Sequence, residues 1–223
     1  YKANMPDQDL TLYAKWEAGM KTYQVRHYQQ SIGNSEQYDL AETETVTAKT
    51  GEHLTLAVKA YEGFTAPKPV SYDVVDDGEV TYVDYKYTRD RHQVTIHYNN
   101  GNDSETKELA YGEKWEEKPY RAGYVFAGWY TDEALTKKYT IPSVMPNEDR
   151  IVYAKWEAAD MTYNVVDYVE GTDGVYTAAS SKQETAKTDT EISPKPDIRN
   201  GFMTPAALSQ RVSADGSTTI NYY

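Results

Sequence analysis

A fourteen-residue stretch of this chain returns 140 residues later. Residues 5–18 and 145–158 both open with Met-Pro and both close with Tyr-Ala-Lys-Trp-Glu-Ala. Further on, Gly63-Phe64 is echoed by Gly201-Phe202 at an offset of 138 residues. A tandem repeat builds length from small units that each fold largely on their own. The pattern therefore predicts an array of modules, whereas an enzyme needs one well-made cleft.

Two kinds of module alternate within the repeat. We call residues 91–158 module B, and residues 20–90 and 159–223 modules M1 and M2. Residues 1–19 match the C-terminal tail of a further, truncated B module. Since the chain begins inside a repeat, we expect it to be a fragment of a longer protein. Each module is small but above the size at which isolated cores usually fail.

The composition favours strands. Hydrophobic residues make up 39% of the chain, below the usual globular share, and 22 tyrosines partly fill the deficit. Tyrosine and threonine are both enriched in β-structure. The chain has no cysteine, which excludes disulfides, thiolate metal sites and cysteine nucleophiles.

Module B reads as a set of strands with short helical connections. Residues His92–Tyr98 alternate as a strand, and Asn99-Asn100-Gly101 follows as a hairpin turn. Residues Gly112–Lys118 are predicted to hold a short helix that Pro119 stops. Residues Asp132–Lys138 are predicted to add one helical turn.

A bulge is predicted at Gly128, because glycine inside a strand pattern often marks one. The bulge would let Phe126 and Trp129, which are oddly spaced, face the same side. Together with Val152 and Trp156 on the closing strand, these residues are predicted to form the core of module B.

The M modules also read as strands. In M1 the predicted strands are Tyr23–Gln29, Glu42–Ala48, His53–Ala60 and Val80–Tyr87, with a turn at Asp76-Asp77-Gly78. Two prolines, Pro67 and Pro69, make the segment between them irregular. No long amphipathic helix is visible in the M modules. Because we expect strands together with short helices, we predict an α+β fold that is β-dominated.

Module B resembles the internalin-type B-repeat, also called the Listeria–Bacteroides repeat. The resemblance is carried by Gly123-Tyr124-Val125-Phe126-Ala127-Gly128-Trp129-Tyr130 and by the closing Tyr153-Ala154-Lys155-Trp156. The M modules resemble mucin-binding-protein (MucBP-like) repeats through the opening Tyr-x-Val strand, Gly-Phe and the late Asp-Gly turn.

These resemblances imply a fold and a setting. Both families consist of small β-grasp (ubiquitin-like) modules, so we expect tandem modules in an elongated array. Both occur on bacterial surface proteins, the second on adhesins of Gram-positive bacteria. The resemblance thus implies an extracellular location, with cell-wall anchoring through a region absent from this fragment. Neither family brings catalytic residues.

No metal site or cofactor site is predicted from the sequence. The four histidines are His27, His53, His92 and His97. We expect each to be structural or solvent-facing, because none has metal-ligand spacing. The oxygen clusters at 76–78 and 99–103 lack the pattern of a helix-flanked calcium loop, and turn chemistry explains both. A weak surface calcium site stays open.

The tryptophans are the candidates for sugar binding. Trp16 and Trp156 are repeat equivalents at the end of a predicted strand, which favours a core position for both. Trp115 stands in a charged run, between Lys114 and Glu116, and is the tryptophan we expect to be exposed. It is therefore the weak candidate for a ligand contact.

The formal net charge of −12 argues against nucleic acid, since no cluster of lysine and arginine is present to meet phosphates. No run approaches the length of a membrane span, so we expect no membrane insertion in this segment. No nucleotide or hydrolase motif is present.

We expect a non-catalytic stalk or spacer segment of a bacterial surface protein that also serves adhesion, with neighbouring repeats of the same parent chain as partners. The alternative is a binding module for host mucin or another glycan or glycoprotein. We expect no enzymatic activity and no cofactor. Residues 1–17 are predicted to form a lone strand over Leu10–Glu17 that docks on M1 or on a neighbouring molecule.

Overall fold

The structure, a computed structural model, describes Asp9 and residues 11–223. The chain divides into two compact units, Tyr1–Arg91 with Ala110–Glu113, and His92–Leu109 with Lys114–Tyr223. The described residues form sixteen strands and no helix. Module M1 belongs to the first unit. Module M2 and nearly all of module B belong to the second.

The predicted α+β class is wrong, because the described residues are all-β. At the first predicted helix, Gly112 has a φ of +76° and Lys114 forms a β-bridge with Val144. At the second, the Asp132 carboxylate accepts hydrogen bonds from the backbone of Thr136 and Lys137 and holds a turn. No helix packs on any described sheet, so the expected β-grasp is not shown.

Module M1 contains the strands β1 (Met20–Gln30), β2 (Tyr38–Lys49), β3 (His53–Leu56), β4 (Phe64–Thr65), β5 (Val70–Asp73) and β6 (Val80–Arg89). Its main sheet has the order β2-β1-β6-β4. Strand β1 pairs with β2 antiparallel and with β6 parallel. A separate two-stranded sheet joins β3 to β5.

The core of M1 follows from strict alternation along the central strands. On β1, Lys21, Tyr23, Val25 and His27 are buried, while the residues between them are less so. The buried apolar members of this core are Tyr23, Val25, Leu56, Val83, Tyr85 and Tyr87. Tyrosine rings thus supply half of the core, as the composition suggested.

Module B contains the strands β7 (Arg91–His97), β8 (Glu105–Ala110), β9 (Tyr124–Tyr130), β10 (Lys138–Tyr139) and β11 (Arg150–Ala158). They form one sheet in the order β10-β9-β11-β7-β8. Strand β11 lies between β7, its parallel partner, and β9, its antiparallel partner. The hairpin turn after β7 uses positive φ at Asn99 and Gly101, as predicted.

The predicted bulge at Gly128 is confirmed. Lys155 pairs with Gly128 and Trp156 pairs with Phe126, so Ala127 has no partner across the ladder, and Gly128 has a φ of +129°. Trp129 and Val152 are buried in the core, and Phe126 and Trp156 pack against it. The predicted core residues of module B are therefore found together.

Module M2 contains the strands β12 (Asp160–Glu170), β13 (Tyr176–Lys187), β14 (Glu191–Ile192), β15 (Gln210–Arg211) and β16 (Thr219–Tyr222). Its main sheet has the order β13-β12-β16. As in M1, the first strand pairs antiparallel with the second and parallel with the last. The buried apolar core consists of Tyr163, Val165, Ile192, Val212, Ile220 and Tyr222.

Residues 11–17 differ from their counterparts in module B. They form no strand, and Trp16 is 89% exposed. The predicted core position of Trp16 is therefore wrong. Its equivalent Trp156 is covered by Phe126 and donates a hydrogen bond to the carbonyl of Tyr98, and no described residue does this for Trp16. Leu10, where the predicted strand begins, and residues 1–8 lie outside the described residues.

Candidate functional site

Trp115 is buried, contrary to expectation. Only 2% of the residue is exposed, because the chain alternates there and turns Lys114 and Glu116 outward. The ring packs in the core of module B near Tyr139. Trp115 therefore offers little open face on which a sugar could stack, and a role in ligand binding stays a prediction.

A buried carboxylate organises the surroundings of Trp115. The side chain of Glu117 is 5% exposed and accepts hydrogen bonds from Trp115 Nε1 at 3.2 Å and from the Tyr98 hydroxyl at 2.9 Å. The Lys107 ammonium lies 2.9 Å from the same carboxylate. A buried charge is tolerated when it is paired and hydrogen-bonded. From the sequence alone, Glu117 could not be told apart from the other charged residues around Trp115.

Two groups around Glu117, Tyr98 and Lys107, have pKa values raised above their ordinary values. Burial and the hydrogen bond to Glu117 raise the pKa of the Tyr98 hydroxyl. Burial lowers the pKa of Lys107, but its bonds to Glu117 outweigh this, so the pKa is raised. A general acid or base works best with a pKa near the operating pH. The pKa values of Tyr98 and Lys107 are both shifted further from neutral pH.

Module M1 carries a second polar cluster, around His27. This histidine is fully buried on β1, with Nδ1 2.9 Å from the Tyr87 hydroxyl and Nε2 3.2 Å from Glu44. Tyr87 is also fully buried, and its hydroxyl accepts a hydrogen bond from the backbone N–H of Lys59 at 2.8 Å. Tyr61 packs edge-on against Tyr87, with ring centroids 4.8 Å apart.

Ion pairs close the rim of this cluster. Lys59 lies 2.8 Å from Glu42 and 3.4 Å from Glu44, and the Tyr61 hydroxyl donates to Glu42. The hydrogen bond from Lys59, followed by that from Tyr61, lowers the pKa of Glu42. Burial and the bond to Glu42 raise the pKa of Tyr61. These shifts move both groups away from neutral pH, which disfavours proton transfer.

Module M2 repeats this arrangement with different residues. Asp167 takes the place of His27 on the first strand and is 4% exposed. Its carboxylate accepts hydrogen bonds from the backbone N–H of Asp197 at 3.0 Å and from the Ser180 hydroxyl at 3.1 Å. Asp197 pairs with Lys182, so the rim ion pair of M1 recurs here with its signs exchanged. Sequence patterns gave no signal for either cluster.

The second unit contains the junction between modules B and M2. Only Ala159 separates β11 from β12. The Gly123 carbonyl accepts hydrogen bonds from the Thr188 hydroxyl at 2.6 Å and the Ala159 N–H at 2.9 Å. The Tyr124 hydroxyl donates to Asp189, which raises the pKa of Tyr124. A Cβ atom on Gly123 would lie 2.6 Å from Cα of Ala214. The two modules are thus joined by side-chain and backbone contacts.

The remaining histidines have separate surroundings. His53 lies 2.7 Å from Asp73, His92 lies 2.8 Å from Asn147, and His97 stacks on Tyr153 with centroids 4.4 Å apart. Among Asp9 and residues 11–223, no group of three or more His, Asp or Glu side chains is placed to hold a metal ion. That same part of the chain has no helix long and apolar enough to cross a membrane.

Residues 92–155 match the family model of the Listeria–Bacteroides repeat domain. The match covers most of module B, including the bulged strand β9 and most of β11. The predicted resemblance of module B is thereby confirmed. The MucBP-like character of M1 and M2 stays a prediction.

Two relatives come from Evansella cellulosilytica. One, named "Putative membrane protein", is 29% identical over 158 residues, which is 69% of this chain and 23% of that protein. The other, named "Putative Gly-rich membrane protein", is 29% identical over 172 residues, 71% of this chain and 19% of that protein. The chain thus spans about a fifth of the length of these relatives.

Among solved structures, the chain is similar to the Bacillus anthracis TIE protein. The two share 9% identity with a TM-score of 0.45, over 93% of this chain and 50% of that one. That level of similarity is too low to assign a fold or a function.

Proposed function

We propose that this chain is a non-catalytic repeat segment of a bacterial surface protein, in which it acts as a stalk or spacer and serves adhesion by holding other parts of the protein away from the cell. The repeat match of residues 92–155 and the membrane-protein names of the relatives support the surface setting. We further propose that the parent protein is extracellular and cell-wall anchored in a Gram-positive bacterium.

The junction at Gly123 is the observation that carries the spacer proposal. A spacer can hold other parts of the protein at a fixed distance from the cell only if consecutive modules do not rotate freely relative to each other. The one-residue connection at Ala159 and the hydrogen bonds from Thr188 and Ala159 to the Gly123 carbonyl restrict such motion. The polar clusters around Glu117 and His27 support the same proposal, because the polar groups of each cluster form hydrogen bonds with one another.

Backbone ¹⁵N relaxation tests the spacer proposal on the full chain. If the junction is rigid, residues of modules B and M2 tumble with one rotational correlation time. The variant Thr188→Val removes the hydroxyl bond to Gly123 and should loosen the coupling, whereas Thr55→Val, on exposed β3, should not. Independent tumbling of B and M2 in the unaltered chain contradicts the proposal.

The alternative function is recognition of host mucin or another glycan. A surface hollow lined by Trp115, Trp129 and Pro142 favours it, since glycan sites are commonly aromatic hollows. The two rings are only 2% and 6% exposed, which leaves little face for stacking and makes this the second candidate. Saturable binding on an array of mucin oligosaccharides, lost in Pro142→Ala or Trp129→Phe, would promote it. Turnover of a bound glycan would contradict both proposals.

A further inference from the structure

The sheet of module B has one open face. Along β11, Val152 and Ala154 are fully buried in the core, so the side chains that alternate with them point to the opposite side of the sheet. Ile151 lies on that side and is 51% exposed. Trp115 belongs to the core on the buried side. The open face is therefore a different surface from the hollow at Trp115.

Two lysines converge on this open face. Lys155 pairs with Gly128 across the ladder between β11 and β9, and Lys138 pairs with Tyr130, two residues further along β9. A Cβ atom on Gly128 would lie 3.2 Å from Cε and 3.8 Å from Nζ of Lys138. The Lys155 ammonium lies 5.2 Å from the ring centroid of Tyr130. Both ammonium groups thus reach the surface around Gly128 and Tyr130.

The charges of these two lysines are not neutralised within the part of the chain that the structure describes. Among Asp9 and residues 11–223, no carboxylate forms an ion pair or a hydrogen bond with Lys138 or Lys155. In the same module Lys107, by contrast, pairs with Glu117. Two uncompensated cations at one place attract an anion, although the chain as a whole carries a net charge of −12.

Tyrosine rings stand beside the lysines. Tyr153 lies opposite Tyr130 on β9 and opposite His97 on β7. His97 stacks on one face of the Tyr153 ring, with centroids 4.4 Å apart and the two planes 6° from parallel. The other face of Tyr153 is therefore turned toward Tyr130. Tyrosine combines an apolar ring with a polar hydroxyl, which suits the mixed apolar and hydroxylated surface of a sugar.

The position of these side chains in the sheet narrows the kind of anion. Tyr130 and Tyr153 each have strand partners on both sides, so a peptide cannot add there as a further strand. An open face does not bury most of a small molecule, as a pocket does. Two lysines supply too little charge for a nucleic acid on so acidic a chain. A polymer that is recognised through side chains alone fits these conditions.

We propose that the open face of module B binds an acidic polysaccharide, a chain of pyranose rings that carry carboxylate groups. The carboxylates pair with Lys138 and Lys155. The apolar faces of the sugar rings lie against Tyr130 and Tyr153. This role goes beyond the spacer function and does not depend on it.

Titration of the full chain with two uronate polysaccharides, fragments of hyaluronan and of alginate, tests this site by amide NMR. Chitin oligosaccharides, which have sugar rings without carboxylates, and polyglutamate, which has carboxylates without sugar rings, are the control ligands. We expect saturable shifts at Gly128, Tyr130 and Lys155 with at least one uronate ligand, and weaker binding at high salt, because salt screens exposed charges. The control ligands should not produce these shifts.

Three outcomes of the titration would overturn the proposal. The first is no saturable binding of either uronate ligand. The second is equally tight binding of polyglutamate, which would mean that charge alone is recognised. The third is a set of shifts confined to the surroundings of Pro142, which would place the saccharide in the hollow on the other side of the sheet.

Substitutions test the same site through affinity. Lys138→Gln and Lys155→Gln each remove one cation and should weaken uronate binding about two- to fivefold. Tyr130→Thr should weaken it as well. Lys137→Gln is the matched control, because Lys137 is exposed and its charge acts on Asp132, so affinity should not change. Unchanged affinity in the double variant Lys138→Gln/Lys155→Gln, or an equal loss in Lys137→Gln, would overturn the proposal.

Discussion

The hydroxyl of Tyr87 lies 2.9 Å from Nδ1 of His27, and both side chains are fully buried in module M1. The same hydroxyl accepts the backbone N–H of Lys59. Tyr87 thus connects β6, the last strand of M1, to the first strand β1 and to the loop that contains Lys59.

The first prediction concerns this hydroxyl. Tyr87→Phe keeps the ring but leaves the Lys59 N–H without its acceptor, and should lower the free energy of unfolding by about 1–3 kcal/mol. Tyr82→Phe, on a residue that is 62% exposed, should change it by less than about 0.5 kcal/mol. Urea denaturation of both variants measures the difference. If Tyr87→Phe lowered the free energy of unfolding no more than Tyr82→Phe, the hydrogen bonds of the buried hydroxyl would contribute nothing to stability.

The second prediction compares two equivalent tryptophans. Trp156→Ala removes a ring packed on Phe126 and its 2.7 Å hydrogen bond to Tyr98, and should destabilise module B by about 2–4 kcal/mol. Trp16→Ala should cost less than about 0.5 kcal/mol, because Trp16 is 89% exposed. Thermal unfolding followed by tyrosine absorbance reads out both variants. A loss of similar size for Trp16 would show that its segment is packed in solution.

Much of the strand pattern could be predicted from the sequence, because alternation and turn residues act locally. The bulge at Gly128 is an example, since the odd spacing of Phe126 and Trp129 required it. Trp115 could not be placed in the same way. Its neighbours Lys114 and Glu116 are charged, but they point outward from an extended segment while the ring points in.

The helical turn at 132–138 was wrongly predicted for a local reason, because the Asp132 carboxylate holds the backbone that follows it in a turn. Other features depended on contacts between distant parts of the chain. Trp16 and Trp156 have the same local sequence, yet only Trp156 has β7 and β9 beside its strand. The burial of Asp167 depends on Ser180 and Asp197, which no local pattern connects to it.

The third prediction addresses the junction between B and M2. Gly123→Ala forces a side chain into positive φ and against the backbone of Ala214. Gly201→Ala imposes a similar φ where no atom lies within 4 Å of the new Cβ. Both should lose about 1 kcal/mol from backbone strain, and Gly123→Ala should lose about 1–3 kcal/mol more from overpacking.

Calorimetry of the two glycine variants measures these losses. Gly123→Ala should in addition give modules B and M2 different ¹⁵N relaxation times, while Gly201→Ala should leave them alike. If the two variants behave identically in both measurements, the close approach at Gly123 does not couple the modules.

The fourth prediction is a pH dependence at Glu117. Glu117→Gln keeps the shape of the side chain but removes the charge that pairs with Lys107, and should cost about 1–3 kcal/mol at pH 8. The pKa of Lys107 is raised in the folded state, so the pair stabilises the fold fully below the ordinary value of 10.5. This stabilisation is lost as the pH rises through the raised pKa.

The difference between wild type and Glu117→Gln should therefore shrink in strongly alkaline solution, which urea denaturation at a series of pH values would show. Glu116→Gln is the matched control, because Glu116 pairs with Lys114 at the surface and such pairs contribute about 0–1 kcal/mol. A gap between Glu117→Gln and wild type that does not change with pH would assign the loss to hydrogen bonding alone.

The fifth prediction concerns the last turn of M2, where the Asp215 carboxylate accepts hydrogen bonds from the Ser213 hydroxyl and from the Ser217 N–H at 2.9 Å. These bonds favour the charged form and lower the pKa of Asp215 to about 2. Ser213→Ala removes the largest of these contributions, so the pKa should rise toward its ordinary value of 3.8. NMR titration of the carboxyl carbon measures both values.

The sign of the stability effect follows from the lowered pKa of Asp215. Its contribution is complete above about pH 4 and is lost as the pH falls through the folded-state value near 2. In Ser213→Ala that contribution should be smaller at every pH above about 4, so acid unfolding of M2 should begin at a higher pH. Ser217→Ala, which keeps the backbone N–H bond, should move the pKa less. An Asp215 carboxyl that titrates near pH 4 in the unaltered chain would contradict the proposed bonding of this turn.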